Sequence, residues 1–167
     1  MKIFVITVLT IVGLISIVET LANSSKVDAG QEFCLAQNIF FEAGNQSVAG
    51  MAAVADVTLN RVQNSRYPDT ICSVVKQGLK YADGTMKRNM CQFSWYCDGK
   101  SDKVPSTSDK SWRASLTVAN AILNNKHRGI TSGSTHYHAT YVSPNWVNDI
   151  GMKRITQIGA HIFYKFR

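Results

Sequence analysis

The sequence predicts an α+β domain with its helices first and its strands last. Three observations carry this. Apolar side chains recur at helical spacing, between capping residues, from about Val27 to Gly129. From Thr135 onward the pattern changes to short runs typical of strands. Between the helices lies a turn-rich stretch holding two of four cysteines, so its length predicts a stapled loop.

The first 22 residues stand outside the predicted fold. Lys2 gives a positive start, Ile3–Val18 carries no charge, and Thr20-Leu21-Ala22 supplies small residues where a signal peptidase cuts. The apolar run is short for a membrane span, which needs about 20 residues. Residues 1–22 are therefore expected to be a signal peptide cleaved after Ala22, or an uncleaved signal anchor that is the chain's one tie to a membrane. Residues 23–167 are expected to form a single exported domain, placed in the periplasm, outside the cell or at the cell wall, and working as a monomer.

Removing Lys2 and Glu19 from 18 basic and 11 acidic side chains leaves the net charge at +7. Such a charge favours polyanions, here anionic envelope polymers, or serves solubility alone. The export segment and the lack of Lys/Arg clusters argue against a nucleic-acid partner. Cys34, Cys72, Cys91 and Cys97 make an even set in an oxidising compartment and predict two disulfides. Four cysteines allow three pairings, and the spacing does not choose among them. The lack of any C-x-x-C pair weakens a zinc reading.

The first helix is expected over Val27–Ala43. Phe33, Ala36, Phe40 and Ala43 fall on one face, Leu35, Asn38, Ile39 and Glu42 on another, and Gly44 stops it. A helix apolar nearly all round should be buried on most sides. The second runs from about Ser47 to Gln63, capped by Ser47, with Val48, Ala52, Ala55, Leu59 and Val62 as its stripe. Asp69 or Thr70 caps a short helix, Ile71–Gln77, closed by Gly78. Residues 79–108 read as loop, with turns at Asp83-Gly84, Asp98-Gly99 and Pro105. Asp109 caps the last long helix, with Trp112, Leu116, Ala119 and Leu123 inward and Gly129 at its end. Strands are expected at Thr135–Val142, Met152–Ile158 and His161–Phe166, the last two joined at Gly159.

Glu42 is the residue that the pattern leaves unexplained. The chain has three glutamates, and this one ends an apolar run, Ile39-Phe40-Phe41-Glu42. Low dielectric and the negative end of a helix dipole both disfavour the carboxylate and raise its pKa. A carboxylic acid that keeps its proton near neutral pH suits general acid catalysis. A purely structural alternative is a buried carboxyl paired with Arg61 or Lys80.

Several segments recur in a recognisable order: Cys34 to Gly44, Ala52 to Val62, Tyr67-Pro68-Asp69-Thr70-Ile71-Cys72, Cys91-Gln92-Phe93-Ser94-Trp95-Tyr96-Cys97-Asp98-Gly99, Thr135-His136-Tyr137-His138-Ala139 and Ile158 to Tyr164. Taken together they resemble the SleB-type cell wall hydrolases, the group that includes spore cortex-lytic enzymes. The resemblance implies a lysozyme-like fold, closest to the resuscitation-promoting-factor type, with a helical N-terminal half and a small C-terminal antiparallel sheet. It implies cleavage of the peptidoglycan glycan strand at the MurNAc-GlcNAc β-1,4 bond, with the family's catalytic glutamate at Glu42 and no metal or other cofactor. Many members continue after this glutamate with Arg-Gly-Glu, whereas here the chain reads Gly44-Asn45-Gln46, so a second acid is missing.

That shortage bears on mechanism. A hydrolase normally adds a second carboxylate to activate water; Asp56 and Asp98 are the remaining candidates and neither is obviously placed. A lytic transglycosylase needs none, because the muramic acid's 6-hydroxyl attacks and one residue serves as acid and then base. The expectation is a lytic transglycosylase acting through Glu42, with a muramidase-type hydrolase as alternative. Gln92, Ser94, Tyr137, His138 and Tyr141 are the expected substrate-binding residues. Gln92 and Ser94 are polar and sit between two cysteines, where Phe93 and Trp95 would instead anchor the loop in the core. His136 and His138, joined by His161, would be compatible with zinc and a peptidoglycan amidase; hydrogen-bonding strand histidines are the simpler reading. A wall-binding module without catalysis is the remaining alternative, and it has no need of an acid among aromatics.

Overall fold

The computed structural model describes residues 29–124 and 128–167. The expected leader, residues 1–22, and the start of the first helix at Val27 lie outside them. No helix among the described residues is long and apolar enough to cross a membrane.

Helix α1 occupies residues 29–43. Leu35, Ala36, Asn38, Ile39 and Ala43 are fully buried, from both of the predicted faces, while Phe33 stays partly exposed. Gly44 ends the helix by a close approach: its N–H donates to the Phe40 carbonyl, and a Cβ there would stand 2.5 Å from that oxygen. Ser47 then caps α2 (Val48–Val62) by accepting from Gly50 N. Helix α2 is the centre of the domain, with Gly50 to Thr58 buried without a break. Thr70 caps the short α3 (Ile71–Val75). A disulfide, Cys34–Cys72, ties α3 to α1 with the two Cα atoms 5.2 Å apart.

The stretch expected as loop begins as a hairpin. Strand β1 (Gly78–Lys80) pairs antiparallel with β2 (Met86–Cys91). Gly78 therefore opens a strand instead of closing α3. The turn lies at the expected Asp83-Gly84, where Asp83 accepts from Thr85 N at 2.8 Å and Gly84 takes φ +86°. A 3-10 turn, Ser94–Cys97, follows, and a second disulfide, Cys91–Cys97, closes it against β2. Its Trp95 is buried: the indole N–H donates to Asn38 Oδ1 at 3.0 Å, and Asn38 Nδ2 donates to Thr58 Oγ1 at 3.1 Å. This buried polar chain joins the stapled loop to α1 and α2.

Asp109 caps α4 (Lys110–Leu123) through Trp112 N, as its place before the helix requires. The helix stops at Leu123, earlier than the expected Gly129, with Asn124 as its C-cap. The C-terminal sheet is antiparallel in the order β3-β5-β4, formed by β3 (His136–Ala139), β4 (Met152–Ile158) and β5 (His161–Phe166). Strand β3 is half the expected Thr135–Val142, because the chain turns away after Ala139, where Val142 N donates to the Ala139 carbonyl. Tyr137 and Phe163 face each other across the sheet and pack on Ala53 and Val57 of α2. Helices thus form the N-terminal half and a small antiparallel sheet the C-terminal half.

Candidate active site

Two helix ends and one strand build the site. Glu42 lies in the last turn of α1, just before Gly44, where the chain leaves the helix in a geometry with no room for a Cβ. Strand β3 is delivered to it by α2. Asn60 Nδ2 donates to Thr131 Oγ1 and to the Ser134 carbonyl, and Arg61 Nε donates to the Thr135 carbonyl at 2.8 Å. These bonds fix the backbone two residues before Tyr137. The Tyr137 hydroxyl then donates to Glu42 Oε2 at 3.0 Å.

The electrostatics oppose one another. Burial raises the Glu42 pKa, while the Tyr137 hydrogen bond and the Arg61 charge lower it by less, so the carboxyl holds its proton above the usual range. Burial, then the neighbouring carboxyl, pushes the Tyr137 hydroxyl well above 10, so it stays a donor. Arg61 is itself buried. Its guanidinium lies 4.9 Å from the Phe93 ring centroid and 5.4 Å from that of Tyr67. Neither Arg61 nor Lys80 forms an ion pair with Glu42 among the described residues, which leaves the structural alternative for Glu42 without its contact.

Glu42 opens on a cavity of about 460 Å³. Phe40 and Phe41 stand beside it, Asn45 and Gln46 form one rim, and Tyr141, Ala160 and His161 the other. Gln46 locks the two rims together: its Oε1 accepts from Ala160 N at 3.2 Å, and its Nε2 donates to Asn45 Oδ1 at 3.0 Å. Phe41 is held in place by stacking on Trp95, with centroids 4.5 Å apart. Among the described residues Glu42 is the one carboxylate in the lining.

The expected binding residues divide. Tyr137 reaches Glu42, and Tyr141, almost fully exposed, stands on the cavity rim. His138 lies on the other face of β3, where its Nε2 meets the Tyr164 hydroxyl at 3.0 Å and its ring stacks on Tyr164. Alternation along a strand requires this once Tyr137 faces Glu42. Gln92 and Ser94 are exposed and do not line this cavity; Gln92 lines a second one with His136 and Trp146.

Gln46 and His161 are among the cavity residues that the sequence did not single out as binding residues. His161 is buried, stands edge-on to Tyr137 at 5.1 Å, and its Nδ1 has no partner among the described residues. Burial, then the charge on His138, lowers its pKa and keeps the ring neutral. A sequence signal for Gln46 existed, since it occupies the place of the missing second acid.

The two other candidate acids are accounted for. Asp56 is fully buried and pairs with Arg128 Nη1 at 2.6 Å, so it belongs to the core. Asp98 lies in the stapled loop and reaches Lys100. The zinc reading loses its geometry, because the register puts His161 opposite Ala139, on the Tyr137 face, while His136 and His138 point the other way. No three metal-ligating side chains converge among the described residues.

A family model described as Cell Wall Hydrolase matches residues 45–164, over two thirds of the chain, beginning just after Glu42. Two solved structures share the fold. The catalytic domain of the Bacillus cereus SleB protein is 23% identical, with a TM-score of 0.54 over 81% of this chain and 91% of that one. The catalytic domain of the germination-specific lytic transglycosylase SleB from Bacillus anthracis is 22% identical, with a TM-score of 0.56 over 81% and 93%. No curated protein matches the chain.

Proposed function

This chain belongs to the cell wall hydrolase family, and from that premise we propose that it cleaves the peptidoglycan glycan strand at the MurNAc-GlcNAc β-1,4 bond, with Glu42 as acid and then base. The observation that carries this is the isolation of Glu42: a proton-holding carboxyl in a cavity that no second carboxylate lines among the described residues.

The protonated Glu42 gives its proton to the glycosidic oxygen as the C1–O bond breaks and positive charge develops on the sugar. Tyr137 and the Arg61 field then favour the carboxylate that this leaves. That carboxylate takes the proton of the muramic acid's 6-hydroxyl as its oxygen bonds to C1. The ring closes to a 1,6-anhydro end, and Glu42 is again protonated. Water in place of the 6-hydroxyl would give a muramidase, but among the described residues the cavity offers no second carboxylate to activate it. Neutral His161 and the rim residues Gln46 and Tyr141 supply polar contacts for the sugar.

Mass spectrometry of digested walls tests the mechanism. The expected products carry 1,6-anhydro-muramic acid, one water lighter than hydrolysis products. Reducing ends alone would remove the transglycosylase assignment while leaving Glu42 as the acid.

A further inference from the structure

A second cavity, of about 390 Å³, is lined by His136, the β3 residue next to Tyr137. Its size suits a short peptide or a small organic ligand. Arg66 and Asp149 share it, yet they form no ion pair with each other or with any other charged group among the described residues. The Arg66 guanidinium is steadied over the Phe166 ring at 5.1 Å and through Nε to Asn64 Oδ1, which leaves its Nη groups unengaged among the described residues. The Asp149 carboxylate and the Gln92 side-chain amide are likewise unengaged there. His136 is held neutral, pushed down to about 4 by burial and then by the charges of Arg61 and Arg66, so it adds no third charge. Trp146, packed against His136 and His138, makes the wall.

The charges select among ligands. A neutral glycan would use neither, a polyanion would be repelled by Asp149, and a polycation by Arg66. A peptide carrying both a free carboxylate and a free amine uses both. The stem peptides of peptidoglycan have that chemistry. Ala139 lines the Glu42 cavity on one face of β3 and His136 the second cavity on the other, about 10 Å apart measured along the strand. An extended peptide of about four residues spans roughly 14 Å. Strand β3 is at the edge of its sheet, so a chain can pass round it.

We infer that this cavity binds the peptide stem of the polymer whose glycan enters the Glu42 cavity, with a carboxylate at Arg66, an amine at Asp149 and peptide groups at Gln92. The inference rests on peptidoglycan being the substrate, and it is tested without turnover. A synthetic tetrapeptide, Ala-γ-D-Glu-Lys-D-Ala, is titrated into the full protein by calorimetry, beside a stem-free chitooligosaccharide. Saturable peptide binding is expected. Arg66→Gln and Asp149→Asn should each weaken it about fivefold, the size of an exposed charge pair. Both should leave chitooligosaccharide binding alone, and Glu42→Gln should leave peptide binding alone. No saturable binding at millimolar peptide would overturn the inference, as would equal binding by both variants or loss of the oligosaccharide in either. Should Glu42→Gln still digest walls, the catalytic assignment fails while this binding result stands.

Discussion

Glu42 and Asp56 are both carboxylates on helices of the core, and they are treated in opposite ways. Asp56 is saturated. It receives Arg128 Nη1 at 2.6 Å, Gly129 N at 3.0 Å, Thr131 N at 3.1 Å and Thr131 Oγ1 at 2.6 Å. Among the described residues Glu42 receives one donor, Tyr137, and it faces a cavity. A saturated carboxylate has its oxygens occupied and ties its donors to one another, so it holds the fold. A sparsely solvated one can give up and take a proton, so it is free for chemistry. Burial alone does not separate the two; the number and charge of the donors do.

The comparison breaks most sharply at Glu42. Glu42→Gln should reduce clearing of peptidoglycan in a zymogram by about a thousandfold or more. Retained lysis would end the assignment. The same variant should keep or raise thermal stability near neutral pH. The sign follows from the raised pKa: the folded state holds a proton that the unfolded chain releases, so stability is full below the ordinary carboxyl pKa and is lost as pH rises through the folded value. The variant lacks this loss, and its advantage over the parent should shrink towards about pH 4.

Asp56→Ala should do the reverse, with a loss of about 3–5 kcal/mol in urea unfolding from stranding Arg128 and the donors of residues 129–131. An unchanged midpoint would show that the network is not structural. Tyr137→Phe removes the one donor on Glu42. Activity should fall about tenfold, and the alkaline limb of its pH profile should move up, because the lost bond had lowered the Glu42 pKa. A downward shift would contradict the proposed balance. The smallest effect is expected from Gln46→Glu. The new carboxylate can still accept from Ala160 N but adds negative charge to the Glu42 cavity, so the same limb should rise slightly with little change in rate.

Capped elements were the most legible in the sequence. Ser47, Thr70 and Asp109 each accept from a backbone N–H three residues on, and the helices they open start where the pattern puts them. The β1–β2 hairpin was missed because its strands are short, bulged and mostly exposed, so no alternation of burial marks them. Helix α4 was overextended because Gly129 is a stronger stop signal than Asn124. At the site, Glu42 stood out by its apolar neighbours; Tyr137, expected as a substrate-binding residue, donates to Glu42, a contact that the sequence did not announce. Gln92 faces another cavity because the 3-10 turn after it redirects the stapled loop, which residue type does not announce. His161 became a cavity residue only through its register with Ala139, a long-range pairing that local pattern does not contain.

The bond between Cys34 and Cys72 also has a bearing on where the molecule is firm. It closes a loop of 38 residues, which by chain entropy is worth about 4 kcal/mol. Domains of this size are stable by about 5–15 kcal/mol in total. A newly made chain in a reducing compartment lacks the bond, and α1, which carries Glu42, is then less firmly tied to α3. Oxidation of the two thiols forms the tie. The staple is therefore a brace whose contribution depends on the redox state around it, so part of the molecule's firmness exists only where thiols are oxidised.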